Sequence, residues 1–297
     1  MTAVITVPAS LDEQSFEQVL EQVAPLPADA KLLVDARHTR FATPYGLTGL
    51  LCLAQSRAEK ADFAPPADDE VKSYWSRSSF FRYAEELFTM RGTVPKGRVH
   101  QDSDTVLEVT PIAKSEDVHT VVERVKDRAT HILTNKLKLE TRATMGFTVS
   151  LSEACQNIVE HAGRGGWVGV QVYNWAKRRV GRQVVVIAVA DAGQGFRQSL
   201  STTRVRALAG DRWGDGEALE AAVTNGYSRH TEPGRGQGIR GIKGYVHRHD
   251  GRLSIRSGTS RVTIVPPWDD SPAREDGLPA FVGAQLQIII PERAEGS

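Results

Sequence analysis

Three polar residues follow one another at four-residue intervals in the segment SEACQNIVEHA, namely Glu153, Asn157 and His161. Steps of four residues advance only ~40° around an α-helix, so these side chains line one stripe. A carboxylate there can take a proton from an attacking hydroxyl or water, and an amide oxygen can complete the shell of a Mg²⁺ ion that already holds phosphates. Taken alone, the stripe is explained equally well as the solvent-facing side of a helix.

A second group of residues follows a predicted buried strand in the segment VVVIAVADAGQGF. The strand ends at Asp191, and Gly193 and Gly195 come next in a turn that lets the backbone approach a planar ligand closely. A carboxylate at a strand end can accept a hydrogen bond from an exocyclic amine, which favours adenine over guanine. Because Asp-Gly turns are common, this motif is informative only in combination with the others.

The third group is the glycine-rich segment PGRGQGIRGIKGYVHRHDG. Glycines at alternate positions expose backbone amides, and a predicted helix from Ile239 to His247 presents its N-terminus to an anion, so we expect a phosphate cradle. The segment is not a P-loop, because no Lys-Ser or Lys-Thr pair follows, and no strand directly precedes it as in the dinucleotide fingerprint. The candidate nucleotide contacts are Gly234, Arg235, Gly236, Gln237, Gly238 and Ile239.

The elements that must position these groups predict an α/β protein. Apolar spacing predicts an N-terminal β-α-β-α unit, with strands at Val4–Val7 and Lys31–Asp35 and helices after each strand. Helices over Asp117–Leu139 and Ala143–His161 then precede strands over Val168–Tyr173 and Val184–Ala190. A length of 297 residues suits two domains. We predict a smaller domain over residues 1–62, a connecting segment over 63–111 and a larger domain over 112–297.

The order and spacing of the three groups resemble the N box and the two glycine boxes of the GHKL superfamily, which comprises gyrases, Hsp90, histidine kinases and MutL. The resemblance implies a Bergerat-type two-layer α/β sandwich with helices on one face of a mixed sheet, and a mobile lid between Phe196 and Arg235. It also implies ATP and Mg²⁺ as ligands. In that pattern Glu153 is catalytic near the γ-phosphate, Asn157 holds Mg²⁺, Asp191 binds adenine, Gly236 and Gly238 lie at the phosphates, and His161, Gly193 and Gly195 complete the pocket.

One departure from the superfamily lies in the last predicted strand. Many members carry Gly-Thr there, whereas this chain has Gly283-Ala284. The missing hydroxyl removes one hydrogen bond on the adenine side, worth about 1 kcal/mol in a typical case. We expect binding to survive this loss.

The N-terminal unit resembles the STAS domain of anti-sigma-factor antagonists, which has a strand ending in Asp, a turn and a glycine before a Leu-rich helix. In that family a phosphorylatable serine precedes the glycine. Here the corresponding residues are Thr43, Pro44 and Tyr45, so the serine is missing.

The resemblance is closest to the anti-sigma-factor serine/threonine kinases, which keep a Glu four residues before the Asn and a His four residues after it. That type implies an ATP-binding regulator with protein kinase or slow ATPase activity, in which Glu153 acts as base toward a protein hydroxyl. A non-catalytic, ATP-dependent protein-binding switch is the alternative. An atypical histidine kinase, with His119 or His131 as phosphoacceptor, is a second alternative.

Composition restricts the partners and the compartment. The 37 basic and 36 acidic residues nearly cancel, which gives no support to nucleic acid or an anionic membrane as a partner. The aromatic segment YWSRSSFFRYAEELF could stack bases, but its mixed charges favour a helix packed between two domains. Cys52 and Cys155 lie in apolar helical patterns typical of buried thiols. No apolar run could span a bilayer, so we expect a cytoplasmic protein. We also expect a protein partner, for which a second copy of the chain is one candidate.

Overall fold

The computed structural model of the protein describes residues 2–95, 106–112, 165–175, 183–226 and 238–292, and positions 123, 127, 131, 134, 148, 152, 155 and 156 between them. The strands are β1 (Ala3–Thr6), β2 (Ser10–Leu11), β3 (Leu32–Asp35), β4 (Phe41–Ala42), β5 (Asp62–Ala64), β6 (Thr89–Met90), β7 (Val106–Ile112), β8 (Gly166–Asn174), β9 (Gln183–Asp191), β10 (Arg252–Gly258), β11 (Ser260–Ile264), β12 (Arg274–Glu275) and β13 (Phe281–Pro291). The helices are α1 (Glu13–Val23), α2 (Pro44–Ser56), α3 (Asp69–Arg77), α4 (Phe80–Leu87), α5 (Gly195–Ser199), α6 (Arg204–Ala209), α7 (Asp215–Val223) and α8 (Gly238–Arg248). The single positions between 123 and 156 are all helical, as predicted for that part of the chain.

The first sheet has four parallel strands in the order β1-β3-β5-β6. Its β1-α1-β3-α2 part confirms the predicted β-α-β-α unit. Helix α1 begins at a capping box, in which Asp12 accepts a hydrogen bond from the Ser15 N–H and the Ser15 hydroxyl accepts one from the Asp12 N–H. The segment 63–111, predicted as a connection, adds α3, α4 and β6 to this unit and β7 to the second sheet. We call residues 2–90 the N-terminal unit.

In the part of the chain that the structure describes, the second sheet has seven strands in the order β12-β11-β10-β13-β9-β8-β7. Every pair of neighbours in it is antiparallel, so the predicted mixed sheet is wrong. The reason is the route of the chain: β10 and β11 form a hairpin, and β13 then enters between β10 and β9, running opposite to both. The α/β class itself is confirmed.

The second sheet is covered on both faces. One face of β9 carries Val185, Ile187 and Val189, which belong to a core shared with α7, α8 and the buried thiol of Cys155. The other face carries Ala188 and Ala190, which belong to a core shared with the N-terminal unit. Side chains alternate along a strand, so the two sets point to opposite sides of the sheet. We call the side of the N-terminal unit the back of the sheet.

Small residues on the back of the sheet let α2 approach it closely. A Cβ atom on Gly169 would lie 3.4 Å from Pro44, and one on Gly49 of α2 would lie 3.0 Å from the side chain of Gln285 in β13. Gln285 also donates a hydrogen bond of 2.7 Å to the carbonyl of Tyr45. As predicted, Cys52 is a buried free thiol, and it lies on this helix between the two sheets. A helix covered on both sides explains why its sequence is apolar all round.

Five charged side chains meet where α1 lies against the second sheet, and we call them the interface ion network: Glu13, Glu17, Arg252, Arg256 and Arg261. Glu17 accepts hydrogen bonds from Arg256 Nε at 2.9 Å and from Arg261 at 2.5 Å. Glu13 accepts one from Arg252 at 2.5 Å. All five side chains are buried. Buried charges need partners of opposite sign, so this network ties the N-terminal unit to the sheet in one arrangement.

The aromatic segment of residues 74–88 is part of the core. Trp75, Phe80 and Phe81 are buried and contact one another edge to face or tilted. Tyr83 packs on Trp167 of β8, with ring centroids 5.1 Å apart. The aromatic segment thus forms packed helices, as predicted, and the three buried rings cannot stack bases. Among the described residues, no helix has the length and apolar composition required to cross a bilayer.

Candidate functional site

The site is organised around the carboxyl end of β9, where Asp191 lies. Its Oδ1 atom accepts a hydrogen bond of 2.8 Å from the Gly193 N–H, so the turn holds the carboxylate in place. Asp191 follows Val185, Ile187 and Val189 in the alternation along β9, which directs its side chain to the face covered by α7 and α8. The predicted arrangement of a buried strand, an aspartate and a glycine turn is confirmed.

Asp191 is 8% exposed, and this burial changes the acidity of its carboxyl group. Burial raises the pKa of Asp191 from an ordinary value of 3.8 to about 6, although the N–H groups of Gly193 and Ala284 donate to the carboxylate and act in the opposite direction. The charged form is therefore poorly solvated. A ligand that donates a further hydrogen bond to this carboxylate would relieve that cost.

The raised pKa predicts a stability that depends on pH. A carboxyl group with a higher pKa in the folded chain than in the unfolded chain stabilises the fold at low pH and loses this contribution as the pH rises through 6. The loss is about 3 kcal/mol for a shift of about two units. We therefore expect Asp191→Asn to gain stability relative to the wild type as the pH rises from 4 to 7. The measured quantity is the difference between their unfolding free energies, from urea denaturation at each pH. A difference that stays constant with pH would contradict the raised pKa, since all other groups are common to both proteins.

A second set of contacts braces the glycine turn against β13. The hydroxyl of Ser257 accepts a hydrogen bond of 3.1 Å from the Phe196 N–H and donates one of 2.8 Å to the carbonyl of Gly283. Gly195 has a φ of +70°, and a Cβ atom there would lie 2.7 Å from the Ser257 hydroxyl and 3.1 Å from the Gly283 carbonyl. Gly195 thus permits a close approach to β13. The close approach in this structure is to Ser257 of β10 and Gly283 of β13, and the predicted approach to a planar ligand stays a prediction.

The last part of the glycine-rich segment opens α8. This helix spans Gly238–Arg248 and includes the predicted helix from Ile239 to His247. The side chain of Ile239 is partly buried and packs against the core of the second sheet. Arg240 donates to the carbonyl of Asn225 at 3.1 Å, and Lys243 donates to that of Thr224 at 3.3 Å, which fixes the start of α8 beside the end of α7.

The predicted lid between Phe196 and Arg235 needs a correction. Leu219 and Val223 of α7 are buried in the core of the second sheet, and α7 packs against β10 and β11. A segment that buries core side chains is a fixed element of the fold, because lifting it would expose them to water. The prediction of a lid is therefore wrong for α7, and residues 227–235 of the predicted range lie outside the described residues.

The structure describes part of the predicted site. Asp191, Gly193 and Gly195 lie together at the end of β9, and Gly238 and Ile239 begin α8. Seven further candidates lie outside the described residues: Glu153, Asn157, His161, Gly234, Arg235, Gly236 and Gln237. Between them in the chain, Cys155 is helical and buried, and Gln156 is helical and exposed, as expected for a helix with one face on the core.

Sequence reasoning missed Ser257 and Arg240, and it noted Gly283 only as the residue before Ala284, without a role of its own. Ser257 and Gly283 connect the glycine turn to strands that follow it by more than sixty residues. Gly283 faces Asp191 so closely that a Cβ atom would lie 2.0 Å from the Asp191 carbonyl oxygen. No local pattern identifies the partner of such a contact. The glycine in FVGAQLQIIIP was a usable hint, because a glycine inside a strand often marks a close backbone approach.

Comparison with protein families agrees with this geometry. The model of the histidine kinase-, DNA gyrase B- and HSP90-like ATPase domain (HATPase_c) matches residues 145–270. No curated protein matches the chain. The matched range contains β9, the glycine turn and α8, whereas β7 and β13 of the same sheet lie outside it. Domains of this type bind ATP, and residues 145–270 of this chain are a GHKL-type ATPase domain.

Proposed function

We propose that the protein is an ATP- and Mg²⁺-binding regulator, which transfers the γ-phosphate to a protein hydroxyl or hydrolyses ATP slowly. Asp191 carries the proposal. It is a buried carboxylate at a strand end whose charged form lacks solvation, and an exocyclic amine supplies the missing hydrogen-bond donor. Adenine has this amine, whereas guanine has a carbonyl oxygen at the same place.

The remaining site residues complete the proposed reaction. Mg²⁺ would supply the charge that neutralises the phosphates, and Asn157 would hold it through its amide oxygen. Glu153 would take the proton from the attacking hydroxyl or water. The backbone amides between Gly234 and Ile239 would bind phosphate oxygens, aided by the N-terminus of α8. His161 would lie beside Asn157 on the same helical stripe.

The N-terminal unit, which we propose to be STAS-like, is a poor phosphate acceptor in this arrangement. It covers the back of the second sheet, whereas Asp191 points to the other face. Thr43, at the turn where STAS proteins carry their serine, is 7% exposed. Its hydroxyl donates to the carbonyl of Leu11 and accepts from the Gly46 N–H. The acceptor would then be a hydroxyl on another protein, and the N-terminal unit would act as a sensor or a docking surface.

The buried Thr43 also favours the second candidate, an ATP-dependent protein-binding switch without chemistry. If Thr43 is too buried to accept a phosphate, the chain has no acceptor at this turn. Nucleotide binding alone is a function that needs no phosphate acceptor. In this case ATP would order part of the chain and so set the affinity for a partner protein. The histidine kinase alternative is supported only by His131, which is helical and exposed, while His119 lies outside the described residues.

Calorimetry with Mg²⁺ tests the nucleotide site. We expect the wild type to bind ATP in preference to GTP, and Asp191→Asn to bind ATP about 10- to 100-fold more weakly, since a hydrogen bond to a charged group is lost. Asp211→Asn is the matched control, because it removes the same charge from an exposed residue. Equal affinities in the wild type and Asp191→Asn would refute the assignment of Asp191.

Turnover by the same proteins separates the candidates. Glu153→Gln should keep its ATP affinity and lose phosphate release and phosphotransfer if Glu153 is the base. Equal turnover in Glu153→Gln and the wild type would exclude that role. Tight ATP binding without turnover in the wild type, with or without a partner protein, would leave the switch. Acid-labile phosphate on the chain itself would instead point to a histidine acceptor.

A further inference from the structure

A cavity of about 460 Å³ lies on the back of the second sheet, outside the nucleotide site. Its floor is made by β9, β10 and β13, with Val186 and Ile289 at the bottom. The N-terminal unit forms one wall through the start of α1 and the strand β4. The loop after β11 forms another wall. The volume falls in the range of small-molecule sites, about 300–1,000 Å³.

Four aromatic side chains line this cavity: Phe41, Tyr173, Trp175 and Trp268. Phe41 and Tyr173 meet edge to face, with ring centroids 5.6 Å apart. Trp268 is held by a hydrogen bond of 2.6 Å from its Nε1 to the carbonyl of Asp250. Phe41 is 38% exposed, which is unusual for so large an apolar side chain in this protein. The aromatic faces offer a surface for a flat apolar group or for a cation.

The charges around the cavity select between these ligands. Among the described residues, three carboxylates line it, those of Asp12, Glu13 and Asp269, together with the guanidinium of Arg252. Arg252 donates from Nε to Asp269 at 2.6 Å, from one terminal nitrogen to Glu13 at 2.5 Å and from the other to Ser271 at 3.5 Å. All three of its nitrogens are therefore engaged. Glu13 is also paired with Arg261 of the interface ion network, at 3.5 Å. Three carboxylates thus face two guanidinium groups, which leaves one carboxylate charge in excess and disfavours an anion.

We propose that this cavity binds a small organic cation with a flat apolar body, such as an aryl amidine or guanidine. The aromatic side chains would contact its flat body, and the excess carboxylate charge would attract its positive charge. Both the N-terminal unit and the second sheet contribute to the walls. The site thus exists only in the assembled chain.

This cavity and the nucleotide site are separate. Val186 in the floor precedes Asp191 by five residues, which is ~17 Å along a strand. Val186 also belongs to the set of side chains on the back of the sheet, whereas Asp191 points to the face of α7 and α8. A ligand in the cavity would be separated from the nucleotide by the sheet itself.

Three probes of the same shape test the proposal on the full chain: benzamidine, which is a cation, benzamide, which is neutral, and benzoate, which is an anion. Binding is measured by calorimetry at two temperatures, because the binding enthalpy can be zero at one temperature even when the ligand binds. We expect benzamidine to bind at least about tenfold more tightly than benzamide, and benzoate not to bind. Equal affinities for benzamidine and benzamide, tighter binding of benzoate, or no binding of benzamidine would overturn the proposal.

Two variants locate the bound cation. Phe41→Ala should weaken benzamidine about three- to tenfold. The control Val282→Ala, which also shortens an exposed apolar side chain, should leave its affinity unchanged. Asp191→Asn should leave it unchanged as well, whether or not the protein binds ATP. Loss of benzamidine binding in Asp191→Asn would place the cation in the nucleotide site, and equal affinities in Phe41→Ala and Val282→Ala would remove it from the cavity. Either result would overturn the proposal.

Discussion

Replacing Glu17 by alanine is expected to lower the free energy of unfolding by about 3–5 kcal/mol, the usual cost of leaving a buried charge without its partner. Glu17 accepts from Arg256 at 2.9 and 3.2 Å and from Arg261 at 2.5 Å. Arg256 is 1% exposed, and its remaining partners are the backbone carbonyls of Gly258, Ser260 and Pro279. Carbonyl dipoles satisfy its hydrogen bonds but do not balance its charge. Urea denaturation of the full chain measures the effect.

Two controls make this prediction specific. Asp69→Ala removes a carboxylate that is 94% exposed and paired with Lys72, so its cost should stay below about 0.5 kcal/mol. Adding Arg256→Met to Glu17→Ala should restore part of the lost stability, because the unpaired guanidinium is then gone. If Glu17→Ala costs no more than Asp69→Ala, the interface ion network does not hold the N-terminal unit on the sheet.

Replacing Gly283 by alanine is expected to destabilise the protein by about 2–5 kcal/mol and to abolish ATP binding, through backbone strain and steric overlap at one position. Gly283 has a φ of +90°, a conformation that residues with a Cβ atom rarely adopt. The new Cβ atom would lie 2.0 Å from the carbonyl oxygen of Asp191 and 2.8 Å from its Oδ1. This neighbour is backbone and cannot rotate away, so β13 would have to move from β9. The movement would displace the carboxylate that we assign to adenine.

Gly277→Ala separates the two causes. Gly277 also has a positive φ, of +74°, but no atom lies within 4 Å of the added Cβ position. We expect its cost to be about 1–2 kcal/mol, from the backbone alone, with ATP affinity unchanged. Equal costs in both variants, measured by urea denaturation, would mean that β13 accommodates a Cβ atom beside Asp191. Calorimetry with ATP gives an independent reading at the site.

Sequence periodicity determined much of the local structure. The β-α-β-α unit, the strands around Val168 and Val184, and the helix after the glycine-rich segment lie close to their predicted bounds. These elements are readable because apolar side chains repeat with the period of the structure they form. The helix at Glu13–Val23 is further fixed by its Asp12 cap.

One part of the candidate site was also accessible from sequence, because Asp191 and its glycine turn form a single short motif. Asp191 with its glycine turn depends on neighbours in the chain, and the structure reproduces it. The brace of Ser257 and Gly283 was not accessible. Its contacts join strands that are distant in sequence, and each residue taken alone resembles an ordinary strand or turn residue.

What only the tertiary structure decided is how the two sheets meet. Arg252, Arg256 and Arg261 are arginines in strands, a pattern typical of a solvent-exposed face, yet all three are buried under α1. The same holds for three further features: the antiparallel order of the second sheet, the burial of α7 in the core, and the cavity on the back of the second sheet. Each depends on which distant segment covers a given face, and that is set by the sum of many long-range contacts that no local pattern encodes.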